Sequence, residues 1–337
     1  MATFARAGVW LIAAGAVVAA LGMQAGAPQL QVVATTGMIG DMVKRIVGDR
    51  AQVTTLMGEG VDPHLYKVTV SDVRALAAAD VVIANGLMLE GRMGDVFAKL
   101  RRRGRLVIEA GANLSDAQRL HSEGSHGHPD PHIWMDPTIW SQCALHVAAE
   151  LARRDPVNAA AYRANGQALT VEWAAADQAI ALAIATVAPK RRVLVTAHDA
   201  FAYFGRHYGV DVMGIQGIST ESESGLADIR RLIDLLVDRQ VPAVFVETSV
   251  SDKNVLALVE GAGARDREIR IGGSLYSDAM GEAGTPEGTY TGMIKRNAHT
   301  IVQALGGDAT SLALGGDAAP LASPAPRPEG APKEKIK

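Results

Sequence analysis

Short apolar runs alternate with amphipathic stretches along most of the chain, and this pattern predicts strands and helices in turn. Runs such as 81–85 and 106–108, bounded by turn residues, are typical of buried parallel strands. Strands that alternate with helices at this pace predict βαβ units and a parallel sheet. The predicted strands of the first half are 30–34, 53–57, 81–85 and 106–108, and its predicted helices are 38–47, one from 71, one ending at 100, and 138–154.

The middle of the chain predicts an unusually long helix. Residues 158–187 are rich in Ala, Leu, Glu and Gln, and only Gly166 interrupts them. A continuous helix of this length spans about 45 Å, at about 1.5 Å per residue, and can join two domains stiffly. The alternative is an ordinary pair of packed helices, because glycine weakens a helix interior.

The alternation then restarts, so the two halves of the chain share one architecture. We therefore predict an α/β protein of two lobes, each a mostly parallel sheet flanked by helices, joined by a long rigid helix. The predicted boundaries are 28–157 for the first lobe, 158–190 for the linking helix and 191–305 for the second lobe. The strands of the second lobe are predicted at 193–196, 212–215, 243–246 and 269–271, and its helices at 200–207, 226–238, 253–261 and 290–305.

The first 27 residues have the pattern of a secretory signal peptide. Arg6 precedes an apolar run at 9–21, and small residues follow it. The run is short beside the about 20 residues that span a bilayer, although an uncleaved anchor is the alternative. Cys143 is the only cysteine and lies far from this segment, so it offers neither an intramolecular disulfide nor a lipid attachment point there. We expect a periplasmic protein that is not lipid-anchored.

Composition narrows the class of protein further. With 48% hydrophobic and 20% charged residues, the 337-residue chain is globular. A net charge of -3 and only 4% aromatic residues argue against a nucleic-acid partner. From residue 306 the chain is rich in Gly, Ala and Pro, and this composition predicts a disordered tail over 306–337.

Four separated residues, His64, His132, His198 and Asp278, form a candidate metal site. Each follows a predicted strand or the end of a β/α unit, where ligand sites of open α/β sheets occur. Imidazole nitrogen suits zinc and its first-row neighbours, and three imidazoles with one carboxylate can complete four-coordination. The repeated Asp-Pro-His at 62–64 and 130–132 strengthens this interpretation.

Several other polar residues are weaker candidates for a role at this site. Asp62 is a candidate acceptor that would hold the ring of His64. Glu247 could support the site or be a structural carboxylate at a strand end. The segment from His121 to His128 contains three histidines and could gather metal transiently, or be a solvated loop. His146, His207 and His299 lie in helical patterns and are predicted to pack or to face solvent.

These segments resemble the zinc/manganese family of solute-binding proteins that serve ABC importers. The resemblance covers about residues 30–305, and it implies two α/β lobes, a rigid connecting helix and a metal buried between the lobes. It implies that His64 and His132 come from the first lobe, and His198 and Asp278 from the second. The matching motifs are Asp62-Pro63-His64, Asp130-Pro131-His132-Ile133-Trp134, His198-Asp199-Ala200-Phe201-Ala202-Tyr203-Phe204, Phe245-Val246-Glu247, and Ser277-Asp278-Ala279-Met280-Gly281 followed by Tyr290.

The resemblance also bears on the metal. Members similar to dedicated manganese carriers tend to have Glu where this chain has His198, and a nitrogen-rich set favours Zn(II) over Mn(II). Fe(II) is the third candidate. Some relatives with the same four ligands are nevertheless similar to manganese carriers. The chain departs from zinc-dedicated relatives in its short 121–128 segment, and its single Cys143 excludes the disulfide that some relatives have.

We therefore expect a monomeric periplasmic receptor without enzymatic activity. It would capture Zn(II) or Mn(II) and present the ion to the membrane permease of an ABC importer. The first alternative is a secreted zinc-dependent hydrolase with Asp278 as a base, although the chain has no His-Glu-x-x-His motif. The second is a metal-dependent adhesin, which would share the same site.

Overall fold

A computed structural model of the protein describes residues 29–121, 127–221 and 225–312. The predicted signal peptide, the centre of the His121 to His128 segment and most of the predicted tail lie outside these residues. Within them the elements alternate as expected, and the prediction of an α/β protein with two lobes is confirmed.

The first lobe is built on a four-stranded parallel sheet with the strand order β2-β1-β3-β4. Every residue of β3 is buried, as expected for a parallel strand covered on both faces. Helix α1 packs against one face of the sheet, and α2 and α3 pack against the other. The bounds are β1 Leu30–Ala34, α1 Gly37–Val47, β2 Ala51–Thr55, α2 Val70–Ala78, β3 Val81–Ala84, α3 Gly94–Arg102 and β4 Leu106–Glu109.

Helix α4, Pro137–Arg154, begins where its sequence predicts. The Asp136 side chain accepts hydrogen bonds from the backbone N–H groups of Thr138 and Ile139, and Pro137 occupies the first helical position. An aspartate cap followed by proline is a strong signal for a helix start. This cap fixes the end of the segment that carries His132.

Helix α5, Ala159–Ala185, is uninterrupted over 27 residues. Gly166 does not break it, because the glycine lies where α5 approaches α4 closely. A Cβ atom at this position would lie 2.8 Å from the Cβ of Ala148. The glycine therefore allows close helix packing at a cost in intrinsic helix propensity.

Among the described residues, α5 is also the one helix long and apolar enough to cross a membrane by length and composition. Its inner face is buried in the core, however, as in the core helix of a globular protein. Trp173 of α5 stacks on Trp140 of α4, with ring centroids 6.5 Å apart, and meets the ring of Tyr290 edge-to-face at 4.8 Å. Tyr290 begins α9, Tyr290–Ala304, so one continuous core joins both lobes through the long helix.

The second lobe contains two parallel strand pairs, β5–β6 and β7–β8, with β5 and β7 side by side. A second core lies between these strands and α7 and α8. The bounds are β5 Val193–His198, α6 Ala202–Tyr208, β6 Asp211–Gln216, α7 Leu226–Asp238, β7 Ala243–Glu247, α8 Lys253–Gly263 and β8 Arg270–Leu275.

Strand β8 is longer than its apolar run predicts, because two glycines interrupt the run. A Cβ atom on Gly272 would lie 2.7 Å from the ring of Phe245 and 2.8 Å from the Cβ of Ala304. Glycine at this point lets β8 fit between β7 and α9. The extension of β8 to Leu275 brings the chain to the loop that carries Asp278.

The prediction of a disordered tail from residue 306 is wrong for its first seven residues. The backbone N–H of Asp308 donates to the hydroxyl of Thr186 over 2.7 Å. Leu312 is fully buried in the same core as α5. These contacts extend the packed chain to residue 312, and a composition-based prediction could not detect one leucine that reaches the core.

The contact at Gly166 predicts an unusual response to substitution. Gly166→Ala should lower the free energy of unfolding by about 1 kcal/mol, because an overpacking cost of about 1–3 kcal/mol exceeds the propensity gain of about 1 kcal/mol. Urea unfolding measures the change. The matched double variant Gly166→Ala/Ala148→Gly removes the facing methyl group and should recover most of the loss. A single variant more stable than the parent chain would contradict this account.

Candidate metal centre

The four side chains predicted to form a metal site converge on one buried point. His64 lies in the loop between β2 and α2, and His132 lies just before the turn that leads into α4. His198 is the last residue of β5, and Asp278 lies in the loop after β8. All four are at most 5% exposed. The fold thus brings together residues separated by more than 60 positions, because strand ends of both lobes face one cleft.

The separations between these side chains suit a single ion. The Nε2 atom of His132 lies 3.3 Å from that of His64 and 3.4 Å from that of His198. Oδ2 of Asp278 lies 3.2 Å from Nε2 of His198 and 3.9 Å from that of His64. Ligand atoms around a tetrahedral zinc ion, with bonds of about 2.0–2.1 Å, are about 3.3 Å apart. The four residues offer ligand atoms that all lie within 4.8 Å of one another.

Asp278 carries the clearest sign that a cation belongs here. Both of its carboxylate oxygens are buried and lack a hydrogen-bond partner of good geometry among the described residues. A buried carboxylate without such partners loses several kcal/mol of solvation, and nearby positive charge must offset this loss. A metal ion coordinated by Asp278 and the three imidazoles would supply that charge.

Two carboxylates outside the cluster fix the orientation of two imidazole rings. Nδ1 of His132 donates to Asp130 over 2.7 Å, and Nδ1 of His198 donates to Glu247 over 2.5 Å. Because a carboxylate can only accept, each bond places the proton on Nδ1 and directs Nε2 toward the centre. Metal-binding histidines are commonly held in this way. Glu247 thus contacts the site, and Asp130 has a role that the sequence analysis missed.

Asp62 has a different role from the predicted one. Its Oδ1 accepts from the backbone N–H of His64 over 2.8 Å rather than from the ring. Its Oδ2 accepts from the hydroxyl of Thr220 in the second lobe over 2.6 Å. Asp62 therefore shapes the His64 loop and ties it across the cleft. Asp130 occupies the same place in the second Asp-Pro-His motif and likewise accepts from the backbone N–H of its histidine, His132. The repeated motif was therefore a signal in the sequence that could have identified Asp130.

Buried hydrogen bonds hold the His132 segment to the second lobe. Nε1 of Trp134 donates to the carbonyl of Ser277, adjacent to Asp278, over 2.9 Å. The hydroxyl of Tyr290 in turn donates to the carbonyl of Trp134 over 2.8 Å. The segments that carry His132 and Asp278 are thereby fixed relative to each other.

This arrangement of lobes, long helix and cluster corresponds to a known protein family. Residues 32–304 match the family described as "Zinc-uptake complex component A periplasmic". The chain belongs to this family. The match covers most of the chain, both lobes and all four residues of the cluster, and it confirms the resemblance on which the sequence analysis drew.

Known proteins that are named for different metals are similar to the chain. The manganese-binding lipoprotein MntA of Bacillus subtilis is 46% identical over 279 residues, covering 82% of this chain and 90% of the relative. The zinc-binding protein TroA of Treponema pallidum is 44% identical over 274 residues, covering 81% and 88% respectively. A solved structure of periplasmic TroA superposes with a TM-score of 0.79 over 82% of this chain and 99% of that chain. Fe(III)-bound YtgA from Chlamydia trachomatis, 28% identical, superposes with a TM-score of 0.75 over 83% of this chain and 99% of that chain.

The electrostatic environment shifts the pKa values of the three imidazoles in different directions. Burial lowers the pKa of His64 to about 4, against the opposing charge of Asp278. Burial would also lower the pKa of His132, but Asp130 and Asp278 outweigh it and raise this pKa to about 9. For His198, Glu247 and Asp278 likewise outweigh burial and hold the pKa well above 6.5. At neutral pH and without bound metal, His132 and His198 are therefore protonated on both ring nitrogens and positively charged.

A divalent ion can replace these two protons without changing the charge of the buried site. Burial would raise the pKa of Asp278, but the positive charge on His198 and the contacts with both imidazoles hold it well below 3.8. Asp278 is therefore an anion, facing two imidazolium groups. When two protons leave and one divalent ion enters, the net charge among the buried carboxylates stays the same. The site is thus suited to exchange protons for a divalent metal.

The remaining histidines lie elsewhere. His121 and His128 are exposed, and residues 122–126 between them lie outside the described chain. His207 donates through Nε2 to Asp177 of α5 over 2.8 Å, and its Nδ1 lies 3.4 Å from Asp136. These two carboxylates raise the pKa of His207 to about 9. His207 is thus a packing residue that links α4, α5 and α6.

Proton release should accompany metal binding. The pKa of His132 is raised to about 9 and that of His198 lies well above 6.5, so a metal ion must displace a proton from each ring at pH 6. The logarithm of the association constant should therefore rise with pH, by about two per pH unit while both rings are protonated. Calorimetry at pH 7 in two buffers with different ionisation enthalpies counts the protons directly. About two protons per ion are expected, and release of fewer than one would contradict the assigned protonation.

Proposed function

We propose that this protein captures a divalent transition metal between its lobes and delivers it to the membrane permease of an ABC importer. The observation that carries the proposal is the buried cluster of His64, His132, His198 and Asp278, in which the spacing is near-tetrahedral and the carboxylate has no well-aligned hydrogen bond among the described residues. Membership of the zinc-uptake component A family supports the transport role. The metal is the cargo of the protein, so the site must bind it tightly and still release it.

We propose Zn(II) as the preferred cargo. Mn(II) stands second, ahead of Fe(II), because a similar relative is named for manganese and not because such a ligand set binds Mn(II) more tightly than Fe(II). Three imidazole nitrogens and one carboxylate favour zinc, since the affinity of such a set rises from manganese toward zinc. The separations near 3.3 Å suit the tetrahedral geometry of zinc. Similar relatives are named for manganese and for zinc, so family membership alone does not choose between these ions.

We propose that the protein works outside the cytoplasmic membrane, as the segment at 1–27 predicts. Similar relatives include the manganese-binding lipoprotein MntA and TroA, which is described as periplasmic. These relatives support a place outside the cytoplasmic membrane but do not support the expectation of a protein without a lipid anchor. Cys143 is the one cysteine of the given sequence and is buried in α4. The folded lobes therefore offer no accessible thiol for a lipid.

We further propose that the protein acts as a monomer and as a binding protein rather than a hydrolase. Catalytic zinc typically has three protein ligands and an open position for water. Here Asp278 lies within 3.4 Å of His132 and 3.2 Å of His198, as expected for a fourth ligand. The buried cluster supports storage of an ion rather than activation of a water molecule.

Removal of single ligands tests the site. His64→Ala, His132→Ala and His198→Ala should each abolish tight binding of one metal per chain, with losses larger than the about 10–100-fold typical of supporting residues. Chelator competition measures the affinity, and circular dichroism verifies the fold. His146→Ala on α4 is the matched control and should bind as the parent chain does. Unchanged affinity in His198→Ala would remove that residue from the site.

Competition among metals tests the proposed cargo. Titration of the metal-free protein with Zn(II), Mn(II) and Fe(II) should rank zinc first, by at least about 100-fold over manganese. Mass spectrometry of the protein isolated from cells identifies the ion that it carries there. Tighter binding of manganese, or its recovery from cells grown with both metals, would overturn the assignment to zinc.

A further inference from the structure

A strained turn follows β3 at the edge of the sheet that faces the cleft. Leu87 has a φ of 54° and Met88 a φ of 67°, directly after Gly86 with a φ of 80°. Positive φ is uncommon for residues with side chains and unfavourable, and two such residues in succession require support from their surroundings. Strain of this kind is found preferentially at binding sites, where the structure around it holds the chain in place.

The carboxylate of Glu90 provides that support. One oxygen accepts from the hydroxyl of Thr35 over 2.6 Å and from the backbone N–H of Asn85 over 2.8 Å. The other accepts from the backbone N–H of Gly86 over 3.2 Å. Glu90 is only 4% exposed, so these bonds replace water around the carboxyl group. The three bonds close the turn on itself and join it to the end of β1.

The same turn contacts the segment that carries His132. The side chain of Asn85 is fully buried and donates to the carbonyl of Pro131 over 2.9 Å. Pro131 immediately precedes His132. The Asn85 amide therefore helps to fix the position of the His132 imidazole in the cleft, and Glu90 fixes the position of Asn85.

The turn also reaches the second lobe. Arg92 forms an ion pair with Glu221 over 2.8 Å, next to Thr220. Thr220 is the residue that donates to Asp62 of the His64 loop. Residues 85–92 thus contact the His132 segment directly, and the His64 loop only by way of Glu221 and Thr220.

We propose that Glu90 is a positioning residue for the metal centre, acting on His132 through Asn85 and Pro131. This inference rests on the proposed function, because it assumes that His132 coordinates the ion. Glu90 touches neither the ion nor its ligands. Its role is to hold a strained turn in the one conformation that presents the Asn85 amide to the His132 segment.

Substitution of Glu90 by an amide tests the proposal. Glutamine has only one acceptor oxygen. In Glu90→Gln the amide N–H₂ group must therefore face at least one of the donors that now bond to the carboxylate. Zinc affinity should fall about tenfold, at the lower end of the range for supporting residues, and zinc dissociation should accelerate. Asn85→Ala should cause a similar loss. Chelator competition and stopped-flow release measure both effects.

The double variant distinguishes action through Asn85 from independent effects. If Glu90 acts through Asn85, Glu90→Gln/Asn85→Ala should bind zinc within about threefold of the weaker single variant. A loss equal to the product of the two single losses would overturn the proposed route. An unchanged affinity in Glu90→Gln would overturn the role of Glu90 itself. Failure of the parent chain to bind zinc would instead contradict the proposed function.

Two further variants separate positioning from stability. Glu172→Gln on α5 weakens the contacts of this side chain with Arg45 and Thr291. It should lower the midpoint temperature of unfolding and leave the zinc affinity unchanged. Should Glu90→Gln not fold, Thr35→Val removes one bond to the same carboxylate and should weaken zinc binding by about threefold, with Thr35→Ser restoring it. A Thr35→Val protein with full affinity would contradict the proposal.

Discussion

The charge of Asp278 is the constraint on which the rest of the site depends. A carboxylate buried between two lobes, with no good hydrogen bond among the described residues, is stable only beside positive charge. Protons on His132 and His198 supply this charge in one state, and a divalent ion can supply it in the other. Asp130 and Glu247 stabilise both states, because they accept from Nδ1 whether or not Nε2 coordinates a metal.

The fold serves this constraint by bringing strand ends to one place. His198 ends β5, and Asp278 lies in the loop three residues after β8, so the parallel strands of the second lobe bring two of the four proposed ligands to the cleft. In the first lobe the ligands lie on loops, and these loops need additional support. Asp62 shapes one of them, and the turn held by Glu90 contacts the other. Carboxylates support both kinds of position. Glu247 holds the ring of His198 at the end of β5, whereas Asp62 and Glu90 act on the loops of the first lobe.

Sequence patterns predicted the elements and the four clustered residues well, because apolar periodicity and histidines after strands leave strong signals. They predicted contacts between side chains poorly. Asp62 and Asp130 occupy the same position of the same motif. Asp130 nevertheless accepts a hydrogen bond from an imidazole ring, whereas Asp62 accepts from a backbone N–H and from the hydroxyl of Thr220. The ring partner depends on the direction of the loop, which local sequence does not specify. Strand β8 was underestimated because Gly272 breaks the apolar run, and the packing of Leu312 depends on one long-range contact.

The core shared by Trp140, Trp173 and Tyr290 has a consequence for how long the ion stays bound. Because the long helix is packed into both lobes, bending it would expose aromatic surface, which is unfavourable. Binding then requires little reorganisation of the lobes, and most of the coordination energy contributes to a long dwell time. By the same reasoning, spontaneous opening of a hinge is a poor route for release. In the proposed function, an importer that receives the ion would act on the ligand loops themselves, so the speed of delivery would be set in the docked complex and not by the free protein.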